Sequence, residues 1–261
     1  MIKLAANLSF LYQELPFLDR FEAAAGDGFK GVEYLFPYDW NAYELSKRLK
    51  DNGMEQVLFN LPPGDWDRGE RGLASLSGRE NEFLDTVRQA LDYAAELNCQ
   101  RLHVMSGLTD RSLDEGQQRQ GFVQALNKAL ELSKPYGTTL LIEPINTDDM
   151  PGYFLNDFTL ATEIISEIGS DRLGLQFDIY HCQKIHGNLT HYLLNLLPIT
   201  QHIQIANPPS RNEPDAGEIN YSYLFNRLIE NRYSGWIGCE YKPSRKTSET
   251  LKWADKYLKP M

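Results

Sequence analysis

The sequence predicts a single (β/α)8 TIM barrel that spans residues 1–261. Short apolar runs alternate with longer amphipathic stretches along the chain, which is the pattern of parallel strands connected by helices. Eight such pairs can be counted, and 261 residues agree with the roughly 250 that an eightfold barrel needs. Several apolar runs also end abruptly at a polar residue, as expected where barrel strands open onto an active site.

The predicted strands are apolar runs of four to six residues. In chain order they are Lys3–Asn7, Gly31–Tyr34, Gln56–Asn60, Arg101–Val104, Thr139–Glu143, Leu173–Asp178, His202–Ala206 and Trp236–Glu240. Helical periodicity follows each strand, at Leu18–Ala25, Ala42–Asn52, Arg79–Leu97, Gln117–Lys134, Asp157–Ile168, Leu189–Leu197, Tyr221–Asn231 and Thr247–Tyr257. An open doubly wound sheet is the alternative, but no glycine-rich phosphate-binding turn follows the first strand.

Composition narrows the class of protein. The formal net charge is −10 at pH 7 and the pI is near 5.0, and an acidic surface repels phosphate backbones, so we expect no nucleic-acid partner. No run of about 20 apolar residues occurs, and we therefore expect no membrane partner. The three cysteines are far apart and form no C-x-x-C, which indicates a reduced, cytoplasmic protein. A homo-oligomer is an open alternative to a monomer.

Four polar residues stand at the ends of predicted strands five to eight: Glu143, Asp178, Gln204 and Glu240. They are 35, 26 and 36 residues apart, each close to one strand–helix repeat. Neighbouring parallel strands lie about 4.8 Å apart, so four inward side chains can converge. Three carboxylates that converge without a cation repel one another. We therefore expect these residues to bind a divalent metal, Mg²⁺ or Mn²⁺, because all four donors are oxygens.

A structural interpretation of these positions is kept as the alternative. A single acidic residue at a strand end often caps the following helix or lies on the rim. Gln176 and His202 precede Asp178 and Gln204 by two residues, so both should face the barrel interior one layer deeper. They are either satisfied buried polar residues or residues that orient the metal ligands.

Three further residues are candidates for substrate binding. His181 follows strand six in a predicted loop and could polarise a substrate oxygen or bind the metal. His103 lies near the end of strand four, and Asn7 ends strand one. Both histidines have an ordinary structural role as the alternative. Cys182 adjoins His181, but no partner suggests thiol catalysis, and we interpret it as packing.

Almost the whole chain, from near Leu4 to about Trp253, resembles the hydroxypyruvate isomerase family within the xylose-isomerase-like barrels. The segments that carry the resemblance are AANLSF (Ala5–Phe10), GVEYLFPYD (Gly31–Asp39), NLPPGDWDRGERGLA (Asn60–Ala74), SGRE (Ser77–Glu80), LIEPIN (Leu141–Asn146), DMPGYFL (Asp149–Leu155), QFDIYH (Gln176–His181), GNLT (Gly187–Thr190), HIQIA (His202–Ala206), GEINY (Gly217–Tyr221) and GWIGCEYKP (Gly235–Pro243).

The resemblance implies an activity and roles for the strand-end residues. Glu143 of LIEP and Glu240 of GCEY correspond to the acid/base pair of that family, and these two residues with Asp178 and Gln204 correspond to the metal ligands. The implied enzyme is an isomerase that interconverts hydroxypyruvate and tartronate semialdehyde through an enediolate. Isomerisation of four-carbon 2-oxo acids (2-oxo-tetronate) and sugar 3-epimerisation on the same scaffold are the alternatives.

The loop after strand seven is expected to bind the substrate carboxylate. It departs from the family, with Ser210-Arg211-Asn212 where His-Arg-Gly is usual, and the segment after Ser106–Leu108 is shortened, so substrate identity is left open. Arg211 can hold a carboxylate through two parallel hydrogen bonds. The alternative is a rim arginine paired with Glu213 or Asp215.

Two rival functions come from other classes. Zinc-dependent endonucleases share this barrel, but they need several histidine ligands and a basic groove. Five histidines and a charge of −10 argue against that function. A non-catalytic barrel that binds sugar acids would not need two opposed carboxylates.

Overall fold

The computed structural model describes residues 2–258, and its eight strands form a closed barrel in the order β1 to β8. The strands are β1 Lys3–Asn7, β2 Gly31–Tyr34, β3 Glu55–Asn60, β4 Arg101–His103, β5 Thr139–Ile142, β6 Leu173–Asp178, β7 Thr200–Ile205 and β8 Trp236–Cys239. The predicted fold class is confirmed. Three predicted strands have the observed bounds. β4, β5, β7 and β8 end one residue earlier than predicted, β3 begins one residue earlier, and β7 begins two residues earlier.

The α-helices are α1 Arg20–Gly26, α2 Ala42–Asp51, α3 Glu80–Leu97, α4 Glu115–Ser133, α5 Phe158–Ile168, α6 Ile179–Ile185, α7 Leu189–Leu196, α8 Tyr221–Glu230 and α9 Asp255–Leu258. Short 3-10 helices cover Phe17–Asp19, Lys134–Tyr136, Leu197–Ile199 and Thr247–Ala254. Side chains define several helix starts: Asp114 forms a capping box with Gln117 at α4, and Asp157 caps α5, which satisfies backbone donors that would otherwise lack partners.

Two differences from the predicted helices have physical reasons. The segment after β6 is helix α6 rather than a loop, because the Asp178 side chain accepts hydrogen bonds from two backbone amides of the next turn. The C-terminal segment predicted as one helix, Thr247–Tyr257, consists of a 3-10 helix that continues into α9. The helix missed at α6 is seven residues long, too short to produce a clear 3.6-residue period in the sequence.

Gly26–Gly31 matches the pattern G-x-G-x-x-G. This segment connects α1 to β2, whereas a dinucleotide-binding turn connects a strand to the following helix. The match therefore has no phosphate-binding meaning in this fold.

The contacts divide the chain into two compact units, residues 2–57 with 177–258, and residues 58–176. In the first unit the buried core includes Phe21, Phe29 and Phe225. In the second unit, Phe83 and Phe122 are buried. The assignment of residues 1–261 to one domain stays a prediction. Among the helices of the described residues, none has the length and apolar character needed to cross a membrane.

Strand register places polar residues side by side in the first unit. Asn7 pairs with Glu33 across β1 and β2, and Gln204 pairs with Gly238 across β7 and β8. In each pair the two residues lie at the same height in neighbouring strands. The register therefore brings the side chains of Asn7 and Glu33 together, and the Glu33 carboxyl group occupies the space that a side chain at position 238 would fill.

Candidate active site

Asp178 ends β6 and begins α6. Its Oδ1 accepts hydrogen bonds from the backbone N–H groups of Tyr180 (2.7 Å) and His181 (3.3 Å). Its Oδ2 is buried and has no hydrogen-bond partner among the described residues. His181 Nε2 lies 3.7 Å from this oxygen and Arg211 Nη2 lies 3.9 Å from it. Asp178 therefore serves as a helix cap through one oxygen and keeps the other available for a cation.

Glu240 directly follows β8 and has a more crowded environment. Its Oε1 accepts a hydrogen bond from Arg211 Nη2. Its Oε2 accepts from Gln204 Nε2 at 2.5 Å and from Asn7 Nδ2 at 3.0 Å. Gln204 lies within β7, one residue before its end, rather than at the end as predicted. Both oxygens of the Glu240 carboxylate are thus fixed by named donors.

Burial shifts the proton affinity of both carboxylates upward. Loss of solvent raises the pKa of Asp178, and the Arg211 guanidinium opposes this effect. Loss of solvent likewise raises the pKa of Glu240; Arg211 opposes it, and the charges of Asp178 and Glu33 add to it. One guanidinium therefore does not offset the cost of burying these carboxylates, and an additional cation at this position would stabilise their charged forms.

Arg211 lies on the loop between β7 and α8, with its side chain 15% exposed. Its guanidinium carbon is 4.9 Å from the ring centre of Phe10 and 5.1 Å from that of Tyr180. The sequence alternative, a rim arginine paired with Glu213 or Asp215, does not describe this residue. Its carboxylate contacts are Glu240 and Asp178, and Glu213 instead accepts hydrogen bonds from Ser244.

His181 lies in helix α6, where sequence analysis expected a loop. Its side chain is buried, and its Nε2 lies 3.7 Å from Asp178 Oδ2. The neighbouring Cys182 is buried too, and burial raises the pKa of its thiol to about 12. A thiol with so high a pKa remains protonated at neutral pH, in agreement with a packing role. All three cysteines are free thiols.

In the second unit, Glu143 is buried and follows β5. Its Oε2 accepts a hydrogen bond from Gln176 Nε2 at 2.8 Å. His103 Nδ1 lies 3.6 Å from the same oxygen and 3.3 Å from Asn60 Oδ1. Gln176 and His103 are therefore neighbours of the Glu143 carboxylate rather than isolated core residues.

Glu33 of GVEY was recognisable in the sequence as a polar strand end, but it was given no role in the predicted site. It lies in β2, is buried, and its carboxylate contacts Asn7, His202 and Gln204. These contacts join residues that are distant in sequence, so the strand end alone did not indicate them.

Several buried side chains carry the donor types that a divalent cation takes. In the first unit these are Asp178, His181, Gln204 and Glu240, and in the second unit Glu143 is such a residue. These are mainly oxygen donors, which favour Mg²⁺ or Mn²⁺.

Comparison with known proteins decides the family. The model of the xylose isomerase-like TIM barrel family matches residues 21–257. The chain belongs to this family. A 2-oxo-tetronate isomerase from Cupriavidus necator is 50% identical over 99% of both chains, and a hydroxypyruvate isomerase from Escherichia coli is 43% identical over 98% of this chain and all of that one. This member of the xylose isomerase-like family is an isomerase, as predicted.

A solved structure described as an AP endonuclease, family 2, from Brucella melitensis is 46% identical to this family member. The alignment covers 98% of this chain and 99% of that one, with a TM-score of 0.96. The resemblance to hydroxypyruvate isomerases seen in the sequence is confirmed by the curated relatives.

Proposed function

We propose that the protein is a divalent-metal-dependent isomerase that interconverts hydroxypyruvate and tartronate semialdehyde. The observation that carries this proposal is the guanidinium of Arg211, held between Phe10 and Tyr180 beside the carboxylate of Glu240. A partly exposed guanidinium can bind a substrate carboxylate, and the adjacent Glu240 can transfer a proton. The names of the relatives, hydroxypyruvate isomerase and 2-oxo-tetronate isomerase, support a small 2-oxo acid as substrate.

The reaction is a proton shift between neighbouring carbons. Hydroxypyruvate has a carbonyl at C2 and a hydroxyl at C3. In the proposed path, either Glu143 or Glu240 removes a proton from C3, which gives an enediolate. C2 then receives a proton from the other glutamate, while the hydroxyl proton passes to the C2 oxygen, so that C3 becomes the aldehyde. General acid–base catalysis of this kind contributes typically about 10²–10⁴-fold.

The residues proposed to hold the metal are Glu143, Asp178, Gln204 and Glu240. The unpartnered Oδ2 of Asp178 and the burial of the carboxylates fit a cation of this type. When bound, Mg²⁺ or Mn²⁺ supplies Lewis acidity for the charge that develops on the substrate oxygens. His181, His103 and Asn7 are proposed to contact the substrate. Because both Asn7 Nδ2 protons are directed at carboxylates, Asn7 would contact it through Oδ1.

A four-carbon 2-oxo acid is the second candidate substrate. The 50% identity to the Cupriavidus necator 2-oxo-tetronate isomerase favours it. A cavity of about 370 Å³ in the first unit, lined by Phe10, Ser9 and Lys242 among others, adjoins the aromatic ring that packs on Arg211. In this proposal the additional carbon and hydroxyl of a four-carbon acid would extend toward this cavity. A cytoplasmic location, a homo-oligomeric state and the absence of a nucleic-acid partner stay predictions.

An activity assay of the purified protein tests the proposal. Hydroxypyruvate and a panel of four-carbon 2-oxo and 3-oxo acids are compared, each with and without EDTA and with Mn²⁺ added back. We expect turnover of one or more of these acids that EDTA abolishes and Mn²⁺ restores. A DNA duplex with an abasic site and a neutral ketose serve as controls for the endonuclease and epimerase alternatives. Cleavage of the duplex without any acid turnover would overturn the proposal.

A further inference from the structure

Glu33 is a buried carboxylate to which the proposed reaction assigns no step. Its side chain lies inside the first unit and is 1% exposed. Oε1 accepts hydrogen bonds from Asn7 Nδ2 at 3.0 Å and Gln204 Nε2 at 2.8 Å. Oε2 lies 2.6 Å from His202 Nε2. Three donors from β1 and β7 thus converge on one carboxylate from β2.

These contacts fix which way two side-chain amides face. A primary amide has two N–H donors on nitrogen and acceptors only on oxygen. Gln204 Nε2 donates to Glu33 Oε1 and to Glu240 Oε2, and Asn7 Nδ2 donates to the same two oxygens. If either amide were rotated by 180°, its oxygen would face two carboxylate oxygens. The Glu33 carboxylate therefore disfavours the rotated state of both amides.

The neighbouring residues are arranged around this carboxylate. A Cβ atom built on Gly238 in β8 would overlap the Glu33 carboxyl group. Gly238 does not have a positive φ, so its backbone conformation does not require glycine. Glycine is required here because the Glu33 carboxyl group occupies the space of a side chain. On the other side, His202 is fully buried, and its Nδ1 has no hydrogen-bond partner among the described residues. Glu33 is thus its evident hydrogen-bond partner.

We infer that Glu33 is a positioning residue of the active site. Glu33 sets the orientation of the Asn7 and Gln204 amides through its hydrogen bonds to both. In this orientation both amide nitrogens donate to Glu240, and Gln204 offers its oxygen, not its nitrogen, to a cation. Gly238 and His202 fix Glu33 in turn. The inference rests on the proposed metal site and adds a residue that touches neither metal nor substrate. The partners of metal ligands typically affect metal affinity by 10–100-fold.

Two substitutions separate the position of the Glu33 acceptor atom from its charge. Glu33→Gln removes the charge but retains an oxygen that can reach both amides. Glu33→Asp retains the charge but is one methylene shorter, so it cannot reach both amides from β2. We measure the Kd for Mn²⁺ of metal-free protein by calorimetry, with circular dichroism as the folding control. Glu33→Asp should weaken Mn²⁺ binding about tenfold or more, and Glu33→Gln should weaken it less.

The opposite order would mean that Glu33 acts through its charge, and equal losses would mean that the position of its acceptor atom does not decide the affinity. Either result would overturn the inference while leaving the metal site intact. A native protein that binds no Mn²⁺ would instead overturn the proposed metal site and this inference with it. Gly238→Ala is an independent variant, since the added methyl group displaces the Glu33 carboxylate. It should also weaken Mn²⁺ binding about tenfold, and unchanged affinity in a folded Gly238→Ala protein would contradict the inference.

Discussion

Replacing Arg211 with alanine removes the cation that contacts Glu240. The two side chains are 15% and 9% exposed, so water compensates for the lost contact only in part. Phe10 and Tyr180 cover the guanidinium. In the alanine variant these two rings would enclose an uncharged space. The substitution therefore affects both the binding of a substrate carboxylate and the proton affinity of Glu240.

The expected size of the effect follows from this burial. Truncation of one partner in a buried, hydrogen-bonded charge pair costs about 2–5 kcal/mol. At about 1.4 kcal/mol per tenfold change, kcat/KM for hydroxypyruvate should fall by about 30-fold or more. A neutral ketose has no carboxylate to bind. The factor by which its kcat/KM falls should therefore be at least about ten times smaller than the factor for hydroxypyruvate.

Arg227→Ala provides a matched control. Arg227 also pairs with a glutamate, Glu230, and lies over an aromatic ring, that of Tyr223. Its pair is 35% and 53% exposed, and exposed pairs contribute about 0–1 kcal/mol, so activity should stay within about twofold of native. Steady-state assays of both variants with both substrates test the reasoning. Equal losses at Arg211 and Arg227, or equal losses on the charged and neutral substrates, would refute it.

Two other predictions concern the buried carboxylates. Glu143→Gln and Glu240→Gln should each lower kcat by about 100-fold or more while circular dichroism shows a native fold. A variant that keeps a tenth of the native rate with normal metal content would contradict the proton-transfer role of that glutamate. Metal-free protein should become less stable as the pH rises from about 5 to 8, because the raised pKa values of Asp178 and Glu240 make the folded state retain protons that the unfolded state has released. Urea unfolding at both pH values measures the free energy of unfolding. Asp178→Asn should flatten its dependence on pH, and a rise in stability with pH in the native sequence would contradict the prediction.

The strand ends of the barrel were predictable because they depend on local patterns. The apolar run that ends at Asp178 has the same bounds in the sequence prediction and in the structure. Glu143 and Glu240 were found by the same rule, although each lies one residue beyond its strand. A buried parallel strand is continuously apolar, so a polar residue that interrupts it is visible without tertiary information.

The roles that depend on distant contacts could not be predicted. Glu33 and His202 are 169 residues apart, and Glu33 and Gln204 are 171 apart, so only the strand register brings them together. Arg211 was predicted to bind the substrate carboxylate, with a pair to Glu213 or Asp215 as the alternative, and neither interpretation indicated its contact with Glu240, 29 residues away. The left-handed φ of 57° at Arg211 and the bridge between Asn207 and Asn212 turn this loop in a way that the sequence does not indicate.

In the proposed function, the protein moves a proton between neighbouring carbons of a small 2-oxo acid. Proton NMR of hydroxypyruvate incubated with the Mn²⁺-loaded protein in D₂O follows this transfer. We expect signals of tartronate semialdehyde and a loss of substrate C3 proton signal as deuterium enters, neither of which should occur with Glu240→Gln. If the native protein with bound Mn²⁺ forms no product and exchanges no carbon-bound proton of hydroxypyruvate or of any four-carbon 2-oxo acid, the proposed function is contradicted.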